Sequence, residues 1–110
     1  MPLSRDFKKT VQERVRRDPK FREELLREGV ECLLAGDVEA GRAILRDYIN
    51  ATVGFQELSA VIHKPAKSLM RMFSPKGNPQ AKNLFEVIDR LQEREGIQLR
   101  VQLQPRHGLA

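Results

Sequence analysis

The strongest constraint on this chain is a set of apolar residues at helical spacing, divided by residues that stop and restart helices. Phe7, Val11 and Val15 recur every fourth position, which puts them on one helical stripe that Ser4 is placed to cap. Asp18-Pro19 restarts the chain, with a good N-cap followed by proline at the first helical position. Phe21, Leu25, Leu26, Cys32, Leu33 and Leu34 give the next inward face. Gly29 lies within that run and predicts a weak or bent point, at a cost of about 1 kcal/mol relative to Ala. Ala35-Gly36-Asp37 reads as a stop and a new cap, and Ala40, Ile44, Leu45, Tyr48 and Ile49 form a third stripe. Residues 1–50 are therefore expected to be helical throughout. The fold class expected is mainly α.

Residues 52–95 read as shorter pieces. Thr52 is the expected cap of a short helix with Phe55, Leu58, Ser59 and Ile62. A break follows at His63-Lys64, and Pro65 opens a second short helix with Leu69, Met72 and Phe73 inward. Asn78-Pro79 then reads as a cap and a first helical proline. The helix it opens carries Leu84, Phe85, Ile88 and Leu91 on one side. Two short helices joined by a tight break, with a third beneath them, form the helix-turn-helix pattern. Ser59 is small enough to let the two helices cross closely.

Charge singles out the same stretch. The chain has 110 residues, with 20 Lys and Arg against 15 Asp and Glu, a net charge of +5. No acid occurs between Glu57 and Glu86, while Lys64, Lys67, Arg71, Lys76 and Lys82 all lie there. Those five residues account for the whole excess, because the rest of the chain balances. A basic segment without acids suits a polyanion. Leu69 and Phe73 anchor the second short helix, so Lys67, Ser68 and Arg71 must face outward, with Ala66 at its exposed start.

Residues 55–92, FQELSAVIHKPAKSLMRMFSPKGNPQAKNLFEVIDRLQ, resemble the Cro and phage-repressor (XRE) class of regulators. Within that class they are most similar to the HigA-like, antitoxin-type members. The most specific part is KSLMRMFSPKGNP, residues 67–79, which matches a family run of the form sLxrxLSpkGNPt. DYINATVG, residues 47–54, is similar to the family's lead-in. The resemblance implies a lambda-repressor-like helix-turn-helix domain with extra N-terminal helices. It implies that Ala66, Lys67 and Arg71 face base edges, with Ser68 beside them. Arg71 is suited to bidentate contact with guanine, Lys67 to guanine or phosphate, and Ala66 to a thymine methyl. Lys64, Lys76 and Lys82 are expected to grip phosphates, helped by the backbone N–H groups of Gly77 and Asn78 at a helix start. Two positions depart from the family pattern. The usual turn glycine is His63, and the usual polar residue of the first motif helix is Phe55. The latter moves the expected phosphate contact to Thr52 or Gln56.

IQLRVQL, residues 97–103, alternates strictly, with Ile97, Leu99, Val101 and Leu103 against Gln98, Arg100 and Gln102. That pattern predicts a single C-terminal β-strand with one buried face. No second strand is visible in the chain, so the expected partner is another chain. The candidates are its own copy across a two-fold axis, or a partner protein's sheet edge. Residues 104–110 read as a frayed tail. The whole of residues 1–110 is expected to be one domain.

Other chemistries find little support. The one cysteine, Cys32, permits no internal disulfide and reads as a buried structural thiol in a reducing compartment. His63 and His107 are too far apart in sequence to suggest a metal site. No glycine-rich phosphate loop is present. The carboxylates of residues 1–50 mix with Arg and Lys at i+3 and i+4 spacings, as on salt-bridged helix faces. No enzyme, metal or cofactor is expected.

The start of the chain is charged and leads into no long apolar run, which predicts a soluble, cytoplasmic protein, and the resemblance implies a bacterial one. The expectation is a transcriptional regulator that binds double-stranded, palindromic operator DNA as a homodimer, without a membrane. By resemblance it is an autorepressing antitoxin of a type II toxin–antitoxin pair, with a RelE-like toxin as partner. Two alternatives remain open: a prophage-type repressor without a toxin, and a protein-interaction module that does not bind DNA.

Overall fold

The computed structural model describes residues 5–106. Its elements are α1 (Arg5–Arg17), α2 (Pro19–Leu34), α3 (Val38–Ala51), α4 (Phe55–Ile62), α5 (Ala66–Met72) and α6 (Ala81–Glu95). The chain is mainly helical, as its periodicity predicts. The expected cap Ser4, the side chain of Phe7 and His107 lie outside the described residues.

The N-terminal helices pack as α1 on both α2 and α3, and α2 along α3. Asp18 caps α2, its Oδ1 accepting from the Phe21 N–H at 3.2 Å. Asp37 caps α3 in the same way, accepting from the Ala40 N–H at 3.3 Å. Between them Gly36 takes φ +88°, a left-handed conformation that favours glycine. Gly29 plays a different part from the weak point expected. It is buried, and a Cβ there would lie 2.9 Å from Leu45 Cδ2. Its missing side chain lets α2 and α3 approach closely, and Gly41 meets Leu33 and the Gly29 carbonyl in the same way.

One core joins the two halves of the chain. Leu26, Leu45, Tyr48 and Ile49 from α2 and α3 are continuous with Phe55, Leu58, Ile62, Leu69, Met72, Phe73, Leu84, Val87, Ile88 and Leu91. Arg22, Tyr48 and Glu95 tie the layers together at its edge. The Arg22 Nε donates to both Glu95 carboxylate oxygens at 2.8 Å, and the Tyr48 hydroxyl donates to the same carboxylate.

Several expected positions are corrected. Leu34 is 64% exposed, because α2 ends there and its stripe runs out beyond Leu33. Phe85 is 57% exposed, while Val87 is fully buried. Leu84, Val87, Ile88 and Leu91 make the inward stripe of α6, and Phe85 lies about 100° away from Leu84. Thr52 ends α3 instead of opening α4, and its hydroxyl donates to the Tyr48 carbonyl at 2.7 Å. Gly54, at φ +77°, is the N-cap of α4. Asn78-Pro79 does not open α6, whose N-cap is Gln80.

The segment expected as a strand, residues 97–103, forms no strand ladder among the described residues. Ile97 and Leu99 pack against the core, whereas Val101 and Leu103 stand exposed. A lone chain offers this segment no second strand to pair with.

Candidate nucleic-acid interface

α4 and α5 are separated by only three residues, His63 to Pro65. His63 closes α4 at φ 64° and ψ 40°, in the left-handed region, and is the one non-glycine residue with positive φ among those described. The chain turns here without glycine, as the sequence requires, and histidine is among the better tolerated side chains in this region. Ser59 braces the turn by donating its hydroxyl to the Lys64 carbonyl. Small size alone was the expected role of Ser59. Hydroxyl side chains that bond to nearby backbone are the signal that identifies this brace.

Pro65 caps α5, where its fixed φ of −58° suits a helix start. Leu69 and Phe73 are almost completely buried and Met72 is 9% exposed, so one side of α5 faces the core. Lys67, Ser68 and Arg71 face solvent, and Ala66 is half-buried at the first turn. Met70 is also exposed, an apolar neighbour of Arg71 that the spacing did not single out.

The flanking cations divide into two groups. Lys76, on the loop after α5, and Lys82, in the first turn of α6, are exposed. Neither they nor Lys67 and Arg71 make an ion pair among the described residues. Lys64 differs: it is half-buried, and its Nζ lies 3.8 Å from Glu86 Oε1. The acid-free stretch ends in sequence at Glu86, but the fold carries that carboxylate back to the turn. Asn78 is exposed but lies before the helix start, so its backbone is not part of an anion-binding helix terminus. The Gly77 N–H is taken by the Ser74 carbonyl at 3.0 Å.

The loop that carries Lys76 is held from beneath by Arg42, a residue the sequence reading passed over. Arg42 is 9% exposed, and its Nη1 donates to the carbonyls of Met72 at 3.3 Å, Ser74 at 3.2 Å and Gly77. Arg46, one turn on, donates to the Phe73 carbonyl at 3.4 Å. These carbonyls cluster at the C-terminal end of α5, where the helix leaves acceptors unpaired and cations are favoured. Gly77 fits because it has no side chain: a Cβ would lie 2.0 Å from the Arg71 carbonyl oxygen. The short helix is thus fixed at its start by a proline and a turn, along one side by apolar burial, and at its end by two arginines.

The remaining chemistry is structural. Arg27 pairs with Glu24 and Glu31 on the surface of α2, as the charge spacing predicts. Cys32 is half-buried, and burial followed by nearby Asp37, Glu28 and Glu31 pushes its thiol up, away from the reactive thiolate. No group of three or more potential metal ligands occurs among the described residues. No helix among them is long and apolar enough to cross a membrane. Compared with models of known protein families, with curated proteins and with solved structures, the chain matches none.

Proposed function

We propose that residues 52–95 are a helix-turn-helix unit and that the protein is a sequence-specific DNA-binding transcriptional regulator. The observation that carries this reading is the two-sided character of α5. Leu69, Met72 and Phe73 bury one side of it, while Lys67, Ser68 and Arg71 stand on the other with no carboxylate partner among the described residues. An unneutralised basic surface on a firmly held short helix suits the major groove, where arginine reads guanine through two hydrogen bonds. Lys76 and Lys82 flank it as phosphate contacts.

The experiment is a binding titration on duplex DNA from the region upstream of the gene, over a series of salt concentrations. Arg71→Ala should cost roughly 1–3 kcal/mol on the preferred sequence and relax the preference. Lys76→Ala should weaken binding to all sequences and flatten the salt dependence by about one counterion. If neither substitution changes binding, the α5 face is a solvated surface and the protein is an interaction module of another kind.

The resemblance to antitoxin-type regulators extends the proposal to an autorepressing antitoxin in the bacterial cytoplasm, with a RelE-like toxin as partner. Co-expression with the product of the adjoining gene tests this extension. A stable complex supports it, whereas DNA binding without a complex leaves a prophage-type repressor.

A further inference from the structure

The segment after α6 is half docked. The Ile97 N–H donates to the Gln92 carbonyl at 3.1 Å, and the Leu99 N–H to the Gln92 side-chain oxygen at 2.7 Å. Ile97 and Leu99 are half-buried against the core, and Gln98 and Arg100 between them are exposed. This is the inside–outside alternation of an extended strand. The apolar row then continues into solvent, with Val101 81% and Leu103 96% exposed. In an extended chain the backbone groups of alternate residues point to opposite edges. The N–H groups of Ile97 and Leu99 bond to Gln92 of α6, whereas no hydrogen bond takes the backbone groups of Gln98, Arg100 and Gln102 among the described residues.

We propose that this free edge pairs antiparallel with the same edge of a second copy of the chain, with the two-fold axis passing at Val101. A second copy fits this edge because the segment is complementary to itself, and its sequence selects the register. Apolar residues stay on one face only if odd-numbered positions oppose odd-numbered positions. An axis at Arg100 sets two guanidinium side chains directly opposite, which is destabilising. An axis at Leu99 brings Leu103 against Glu95, which is still in α6. An axis at Gln102 sets Leu99 against Pro105 and shortens the apolar overlap. An axis at Val101 sets Val101 on Val101 and Leu99 on Leu103 in both directions, with Arg100 beside Gln102 and Gln98 beside Gln104. Every exposed apolar residue of the segment then has an apolar neighbour, and no like charges meet. The backbone groups of Arg100 and Gln102 exchange hydrogen bonds. Val101 occupies a non-hydrogen-bonded position, where facing Cα atoms lie about 4.5 Å apart.

That spacing falls within the range a disulfide needs, and Val101 is far enough into solvent for substitution to leave the fold intact. The test places single cysteines in a C32S background and follows oxidation on non-reducing gels. The unmodified protein is sized in parallel by sedimentation equilibrium. The expected result is a dimer of 12.7 kDa chains, with V101C cross-linking at least about tenfold faster than R100C or Q102C. V101D is expected to sediment as a monomer with an unchanged helical circular dichroism spectrum. A monomeric unmodified protein overturns the proposal, as does a V101D variant that remains dimeric. Faster cross-linking of R100C or Q102C overturns the register. These measurements use the protein alone, so their outcome does not depend on whether the α5 face binds DNA.

Discussion

The Nη1 of Arg42 donates to the carbonyl of Gly77, which lies 35 residues further along the chain. The contact joins the middle of the N-terminal helices to the loop that leaves α5. It uses the two features of that loop least tolerant of change: carbonyls without helical partners, and a position with no room for a Cβ. The orientation of α5 is therefore set partly by α3, outside the segment that carries the basic face.

Arg42→Met tests that dependence. Methionine keeps most of the apolar stem but supplies no donor, so the carbonyls of Met72, Ser74 and Gly77 lose a shared cation. Hydrogen bonds to a charged group contribute about 1.5–3 kcal/mol, and buried acceptors left without a donor add their own cost. The expected loss is roughly 2–3 kcal/mol. In urea denaturation it appears as a lower midpoint with an unchanged slope.

Gly77→Ala separates close approach from backbone conformation. The added methyl would meet the Arg71 carbonyl, which is backbone and cannot swing aside. The loop must move, at a cost of about 1–3 kcal/mol, as for other overpacked sites. At Gly36 there is open space around the Cβ position but φ is +88°. Gly36→Ala should cost about 1–2 kcal/mol through the left-handed backbone alone. Thermal melts compare the two. Only Gly77→Ala should also disturb amide NMR shifts at Arg71 and Met72.

The helices and their buried faces were largely legible because apolar spacing and caps report them directly. Asp18 and Asp37 cap where they should, and Leu69 and Phe73 point inward where they should. The basic surface of α5 follows from the same spacing. What stayed hidden depends on contacts distant in sequence. Arg42 lies in a helix of mixed charge and looks like any solvated arginine until Met72 and Gly77 fold over it. Lys64 looks unpaired until α6 brings Glu86 beside it. The start of α6 was misplaced because Asn-Pro is a strong local signal, while the chain remains irregular for two more residues. A stripe drawn by spacing through Leu84, Phe85, Ile88 and Leu91 included Phe85 and left out Val87, since spacing fixes the face but not its centre.

Tyr48 gives stability a measurable alkaline limit. Burial first, then the hydrogen bond and negative charge of Glu95, push its hydroxyl well above the ordinary tyrosine value near 10. The unfolded chain therefore releases this proton before the folded one. Stability is fully present below about pH 10 and falls as pH rises beyond it. Tyr48 is the only tyrosine and the chain has no tryptophan, so phenolate absorbance reads this group alone. The folded protein should show little phenolate signal at a pH where the urea-unfolded chain is fully ionised. Tyr48→Phe should remove the tyrosine contribution to the alkaline fall in stability.

Glu86→Gln bears on the proposed DNA-binding face. Among the described residues, Glu86 is the one carboxylate that the fold brings to a lysine of the basic stretch, at 3.8 Å from Lys64, and both side chains remain partly exposed. An ion pair this open contributes at most about 1 kcal/mol to stability, so the melting temperature should change little. For a phosphate backbone the effect is larger: the substitution removes a repelling charge and releases Lys64 to neutralise a phosphate. Affinity for random-sequence duplex should rise, and the plot of log affinity against log salt should steepen by up to about 0.9. Fluorescence anisotropy on a labelled duplex across several salt concentrations measures both. An unchanged slope would place Lys64 away from the phosphates and leave Lys67, Arg71, Lys76 and Lys82 as the whole of the basic face.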